Sequence, residues 1–144
     1  MPSSRNTART EHARSLLTEA TDHLAKAREA LDASPPRYKD ALPDVLAAPC
    51  AALRALVVWY GSPGGTDASC THGEGLHTLA GRAANLNNVV RTPAHRAVQL
   101  AERAPAIARA PHLSVADRED VETGWYTARN VVRTVATELH ATGA

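Results

Sequence analysis

Residues 115–141 read VADREDVETGWYTARNVVRTVATELHA. Apolar residues recur here every three or four positions, at Val121, Trp125, Ala128, Val132, Val135 and Leu139. Since an α-helix has 3.6 residues per turn, this spacing places all of them on one side of a helix. Ser114 and Asp117 have the spacing of a helix N-cap. The stretch therefore predicts a long amphipathic helix whose apolar side must be covered by the rest of the chain.

A matching stripe lies near the N-terminus. In residues 13–31 the apolar positions alternate in steps of four and three, at Ala13, Leu17, Ala20, Leu24, Ala27 and Leu31. Thr7 or Thr10 is a candidate cap for this helix. We expect residues 1–9 to be disordered or frayed and residues 10–142 to form a single helical-bundle domain. The first and last helices can then pair along their length.

Three further helical segments lie between these two. In residues 36–60, Pro43 and Pro49 predict a short turn at 36–41 and a main helix from about 43, bent near Pro49. GSPGGTDAS (61–69) has the composition of a loop. Thr71 and Glu74 have capping-box spacing and open a third helix, which ends before Pro93. A fourth helix is expected at about 94–109, bent or ended by Pro105.

Length and composition support a small all-helical domain. The chain has 144 residues, enough for one domain, and 44% of them are hydrophobic. Alanine is abundant and phenylalanine is absent, which suits helices packed closely together. No stretch alternates polar and apolar residues as a strand does. The sequence therefore predicts an all-α fold, an antiparallel bundle of four main helices plus one shorter helix.

The charges are balanced overall but unevenly distributed. The net charge is +1, from 16 basic and 15 acidic residues, which is not the balance of a protein that coats nucleic acid non-specifically. One segment is nevertheless basic, because residues 82–109 contain five arginines and only Glu102 as an acid. These charges are either the solvated face of a helix or a strip that binds a polyanion. The candidate nucleic-acid-binding residues of that strip are Arg91, Arg96, Arg103 and Arg109.

The sequence predicts a cytoplasmic protein with no cofactor. Two cysteines make no disulfide framework, and no apolar run approaches the roughly 20 residues that span a bilayer. MPSSRNTART lacks the apolar core of a secretion signal. Cys50, Cys70, His72 and His77 are donor types that zinc accepts. However, Cys70-Thr-His72 is a cramped spacing and Cys50 lies among alanines and leucines, so we predict no metal site.

The order of these segments resembles the HEPN domain. The resemblance covers nearly the whole chain, through LLTEATDHLAKAREAL, then AALRALVVWYG, then THGEGLHTLAGRA and the long last helix. It implies an all-helical, usually dimeric protein. Many members of that family are ribonucleases of toxin–antitoxin, CRISPR or abortive-infection systems. Their signature is an arginine followed by Asn, Asp or His, then four to six residues, then histidine.

The last helix meets this signature only in part. Arg129-Asn130 has the right start, but no histidine follows at the required spacing. Arg133 precedes His140 by seven positions, but Thr134 follows Arg133. Family members that have lost the motif serve as binding or scaffolding modules. The first hypothesis is therefore a non-catalytic HEPN-like interaction module, a homodimer acting with a partner protein or nucleic acid. The alternative is a metal-independent HEPN endoribonuclease of a toxin–antitoxin or defence system.

The residues suit that alternative chemically. Metal-free RNA cleavage needs a group that takes the 2′-OH proton, and histidine titrates near pH 6.5. It also needs a cation for the phosphorane charge, and the arginine fork matches phosphate. The candidate catalytic residues are Arg129, Asn130, Arg133 and His140. Arg133 and His140 lie off the apolar stripe and about 10 Å apart along the helix axis. The plainer interpretation is that residues 129–140 are the solvated outer face of a core helix.

Overall fold

The computed structural model describes residues 4–61 and 73–143. Within those two ranges the chain forms helices and no strand, and a 3₁₀ turn over Asn88–Val90 precedes the fourth α-helix. The α-helices are α1 (Ser4–Asp32), α2 (Tyr38–Trp59), α3 (Gly73–Leu86), α4 (Arg91–Arg109) and α5 (Val115–Ala141). The predicted all-α bundle is confirmed. The shorter helix is α3, with 14 residues against 19 or more in each of the other four.

The central helix is α2, which packs against all four others. Its buried residues are mostly alanines, leucines and valines, and the small alanines let neighbouring helices approach closely. By length and composition α2 could also cross a membrane, with a mean hydropathy of 1.7 over its most apolar 18-residue window. In the fold, 67% of that window is buried. A core helix enclosed by its own bundle therefore accounts for this composition.

Prolines interrupt the helices less than the sequence predicts. The prediction of a turn at 36–41 and a helix from 43 was wrong, because α2 begins at Tyr38 and continues through Pro43 and Pro49. Each interior proline costs about 3 kcal/mol or more. Burial of the surrounding apolar residues offsets that cost, and Pro49 is itself buried. For the same reason α4 does not end at Pro105 but continues to Arg109.

Pro93 also does not mark the start of α4. It lies in the first turn, two residues after Arg91, where a backbone N–H would have no intrahelical acceptor and proline is tolerated. The break between α3 and α4 falls earlier, at Asn87. The Asn87 side chain accepts a hydrogen bond from the Val89 N–H, 3.0 Å long, and so starts the short 3₁₀ turn.

The ends of the long helices agree with the sequence to different degrees. The predicted limits and cap of α5 are confirmed: Ser114 Oγ accepts from the Asp117 N–H at 3.0 Å, and the Asp117 carboxylate accepts from the Ser114 N–H at 3.1 Å. The start of α1 at Ser4 precedes both threonines proposed as caps. The stretch from Ser4 to Asp32 contains no glycine or proline, so no helix-breaking residue interrupts α1. Thr71 and the Glu74 side chain lie outside the described residues.

The packing of α5 sets the geometry of the site. It runs antiparallel to α1, because Trp125 contacts Leu24 and Glu122 contacts Arg28. It also runs antiparallel to α4, which it crosses closely at Gly124. A Cβ added to Gly124 would lie 2.3 Å from Leu100 Cδ2. The apolar side of α5 is thereby buried against α2 and α4, and its outer face is left beside α1.

Candidate functional site on the outer face of α5

The four candidate catalytic residues all lie on α5, and none is in the core. Arg129 is half-buried, whereas Asn130, Arg133 and His140 are exposed. This placement follows from the stripe, since none of the four occupies one of its positions. The helix places Arg129, Arg133 and His140 along one side of its surface and Asn130 on another.

Arg129 belongs to an aromatic cluster, which comprises Arg28, Glu122, Trp125, Tyr126 and Arg129. The guanidinium of Arg129 lies 5.4 Å from the ring centroids of both Trp125 and Tyr126. Those rings meet edge to face, with centroids 5.0 Å apart. Each cation–π contact of this kind contributes about 0.5–1 kcal/mol at a partly exposed site. Arg129 is therefore engaged in holding the cluster together.

Trp125 also contacts α1. Arg28 lies 5.0 Å from the Trp125 ring, and the Trp125 Nε1–H donates to the Leu24 carbonyl at 2.9 Å. Arg28 is also paired with Asp32 at 2.9 Å and Glu122 at 3.0 Å. The hydrogen bond to Asp32, followed by that to Glu122, raises the pKa of Arg28. Because two carboxylates surround this arginine, its charge is locally compensated.

Beyond the cluster, the outer face of α5 is basic and uncompensated. Arg133 and His140 follow Arg129 by four and eleven positions and so lie within about 40° of it around the helix. Both side chains are exposed. Among the residues that the structure describes, neither has an acidic group within 4.0 Å. His140 lies in the last turn of α5, where the helix dipole favours positive charge.

A further arginine, missed in the sequence, joins this surface from α1. Arg14 precedes Arg28 by 14 residues, so it lies within about 40° of it around the helix. The two contacts between α1 and α5 fix an antiparallel register that places Arg14 level with residues 135–136. Arg14 is exposed, and no ion pair involves it in the described part of the chain. We call Arg14, Arg129, Arg133 and His140 the basic face.

Asn130 does not belong to this face. It is exposed and lies on the side of Arg133 that is turned away from α1, about 100° around the helix from Arg129. Arg129 and Asn130, the pair that resembles the start of the ribonuclease signature, therefore point in different directions from the helix. The basic face alone offers cations for anionic groups, without a second polar group converging on them.

The predicted basic strip on α4 is divided in the same way. Arg96 and Arg103 line a groove between α4 and α5, where Arg103 pairs with Asp120 at 3.1 Å. Arg91 lines a different groove, between α3 and α4. Arg109 is the last residue of α4 and is exposed. Arg91 and Arg109 lie about 120–140° around α4 from Arg96 and Arg103. No single continuous strip therefore joins the four.

The candidate zinc ligands are not brought together within the described residues. Cys50 is buried in the core, 1% exposed, while His77 is exposed on α3. Cys70 and His72 lie outside the ranges that the structure describes. In those ranges no three side chains of His, Cys, Asp or Glu are grouped as metal ligands would be.

Comparison with protein-family models, with curated proteins and with solved structures finds no match for this chain. Its family and activity therefore have to be inferred from its own residues.

Proposed function

We propose that this chain is a HEPN-like, non-catalytic interaction module that binds single-stranded RNA through its basic face. The order and character of the helices support the family: a long α1, an alanine-rich α2 that is followed by Gly61, and a long amphipathic α5. Because members of that family are usually dimeric, we propose that the module is a homodimer, and from the residues of its sequence we propose that it acts in the cytoplasm.

The observation that carries the RNA proposal is the uncompensated charge of the basic face. Arg14, Arg133 and His140 point to solvent without acidic partners among the described residues. Tyr126, half exposed at 50%, lies at one end of that face. Proteins that bind single strands combine cations that follow the backbone with aromatic rings on which bases stack. The basic face combines both features on one side of the bundle.

The geometry favours binding over cleavage. An acid/base group and a cation must both reach one scissile phosphate, and candidate groups normally lie within hydrogen-bond distance of it. Arg133 and His140 are about 10 Å apart along the axis, while Arg129 is stacked against Trp125. One chain therefore presents these residues to two separate phosphates of a strand.

The second candidate is the metal-independent endoribonuclease. It is favoured by one observation, that Arg133 and His140 are both exposed on the same side of α5. If two copies pair through this side, His140 of one copy and Arg133 of the other can approach one phosphate. This candidate therefore requires a dimer, which size-exclusion chromatography with light scattering measures directly.

One RNA-binding assay separates these proposals. A short fluorescein-labelled single-stranded RNA is titrated with the protein in EDTA, and its anisotropy is followed between about 50 and 200 mM salt. We expect Arg133→Gln/His140→Gln to weaken binding and to reduce the salt slope by about one for each phosphate contact that is lost. Arg37→Gln/His112→Gln removes the same residue types at exposed positions elsewhere and should leave binding unchanged.

The outcomes are distinct. Equal binding by the two double variants would refute the basic face as the RNA site. Absence of saturable binding by the wild type would refute the RNA-binding function itself. Gel analysis of the same samples reports cleavage: intact RNA supports the interaction module. Cleavage lost in Arg133→Gln/His140→Gln would establish the endoribonuclease instead.

A further inference from the structure

A groove between α3 and α4 collects three nitrogen-bearing side chains. His77 lines it from α3, and Arg91 and His95 line it from α4. Beyond His77, α3 lines the groove with three small residues, Ala80, Gly81 and Ala84, and the helices leave a space of about 230 Å³ between them. Neither helix contributes to the basic face, and the groove is therefore a separate feature of the molecule.

The arginine in this groove is held in place by a neighbour. The Arg91 Nε–H donates to Asn88 Oδ1 at 2.6 Å, and Asn88 lies in the 3₁₀ turn that precedes α4. This bond orients the guanidinium and leaves its terminal N–H groups for a ligand. Among the residues that the structure describes, no carboxylate lines the groove, and Arg91, His77 and His95 take part in no ion pair.

We propose that this groove binds a phosphate monoester group. A phosphate dianion accepts several charge-assisted hydrogen bonds, and the planar arginine fork matches two of its oxygens. Each imidazole can donate at least one further N–H. The volume is smaller than the about 300–1,000 Å³ typical of pockets that enclose a drug-sized ligand. The groove therefore encloses the phosphate end of a ligand and leaves the rest outside.

The test uses the isotope-labelled full-length protein and nuclear magnetic resonance. Inorganic phosphate, AMP and adenosine are titrated separately at constant ionic strength. We expect saturable shifts with phosphate and with AMP at the amides of Gly81, Ala84 and Arg91 and at the rings of His77 and His95. Adenosine should produce none of these shifts. Adenosine binding as tightly as AMP would overturn the proposal, because recognition would then reside in the base.

Two variants and one control locate the site. Arg91→Gln should weaken phosphate and AMP binding by about tenfold or more. Gly81→Leu extends a side chain from the groove wall without changing charge, and its Cβ would meet no atom within 4 Å. Arg37→Gln removes the same charge from an exposed position elsewhere and should have no effect.

Three results would refute the site. The first is that the chemical shifts never saturate with phosphate or AMP. The second is that Arg91→Gln and Arg37→Gln weaken phosphate binding equally. The third is that Gly81→Leu binds phosphate with the affinity of the wild type. Circular dichroism of each variant confirms that it is folded. Since the groove and the basic face share no residue, failure of this proposal leaves RNA binding at the basic face intact, and the reverse also holds.

Discussion

The two halves of the outer face of α5 lie on one continuous helix but have different surroundings. In the first half, Glu122, Trp125 and Tyr126 are linked to α1 through Arg28 and the Leu24 carbonyl. In the second half, Arg133 and His140 contact no acidic group among the described residues and are exposed. The helix that supports both halves is continuous, so the difference arises from what α1 places opposite each of them.

That difference separates charged side chains that stabilise the fold from charged side chains that are available to a ligand. An arginine enclosed by two carboxylates and a tryptophan mainly stabilises the fold, whereas arginines without such partners are available to a ligand. Removing residues from the first half should therefore change stability. Removing residues from the second half should change binding and leave stability almost unaltered. The following variants of the α5 segment test this division on the scale of unfolding free energy.

The largest effect is expected for Trp125→Ala. The change removes a large buried ring surface, the hydrogen bond to Leu24 and two cation–π contacts. We expect a loss of about 3 kcal/mol in the free energy of unfolding. Urea denaturation followed by circular dichroism measures it. Tyr126→Ala serves as the control, with a loss under about 1 kcal/mol, since Tyr126 is half exposed. Equal losses of unfolding free energy in Trp125→Ala and Tyr126→Ala would show that the cluster is not centred on Trp125.

Gly124→Ala should have the next largest effect. The added methyl would lie 2.3 Å from Leu100 Cδ2 and 3.3 Å from Val45 Cγ1. Overpacking of this kind costs about 1–3 kcal/mol, and the better helix propensity of alanine returns about 1 kcal/mol. We expect a net loss of up to about 2 kcal/mol by thermal or urea unfolding.

A second glycine provides the matched control for that prediction. At Gly81 an added Cβ meets no atom within 4 Å, so only the gain in helix propensity remains. Gly81→Ala should raise stability by about 0.5–1 kcal/mol. If both alanine variants were stabilised, the close crossing of α4 and α5 at Gly124 would be refuted.

Ser114→Ala should cost about 1 kcal/mol. It removes the side-chain acceptor of the Asp117 N–H at the start of α5 and so breaks the capping box. Ser114→Asp retains an acceptor and should recover most of the loss in the same unfolding experiment. A stability of Ser114→Ala equal to that of the wild type would mean that packing alone fixes the start of the helix.

The smallest effect is expected for Arg133→Gln/His140→Gln, the variant that should impair RNA binding. Both side chains are exposed, and such surface changes are usually within about 0.5 kcal/mol of neutral. Its unfolding midpoint is compared with that of Trp125→Ala under identical conditions. A loss above about 1 kcal/mol would place these residues among the supports of the fold and remove the contrast between the two halves.

Sequence patterns predicted α5 well because two local signals agree there. The apolar stripe and the Ser114 cap both depend on residues within a few turns of each other, and the structure has the same limits. The prolines of α2 misled the prediction for the opposite reason. Their local cost is offset by burial against four other helices, and residue spacing along one segment contains no information about that burial.

The candidate site was predictable only in part. Arg133 and His140 could be placed on the outside of α5, since the stripe defines the inside. The contacts of Arg28 with Trp125 and Glu122 could not be foreseen, because Arg28 and Glu122 are 94 residues apart in the chain. Arg14 joins the basic face only through the register between α1 and α5. This register is set by three-dimensional packing, and the spacing of residues within either helix does not predict it.

The central position of α2 has a consequence for synthesis of the protein. The ribosome completes α2 about 80 residues before it completes α5, which is roughly 4–16 s at common translation rates. At the start of that interval only α1 is available to cover the apolar surface of α2, and α5 is the last helix to cover it. An exposed helix of this composition attracts other apolar segments and membranes. We therefore expect the nascent chain to be a substrate for ribosome-associated chaperones, and slow translation of α3–α5 to lower the yield of folded protein.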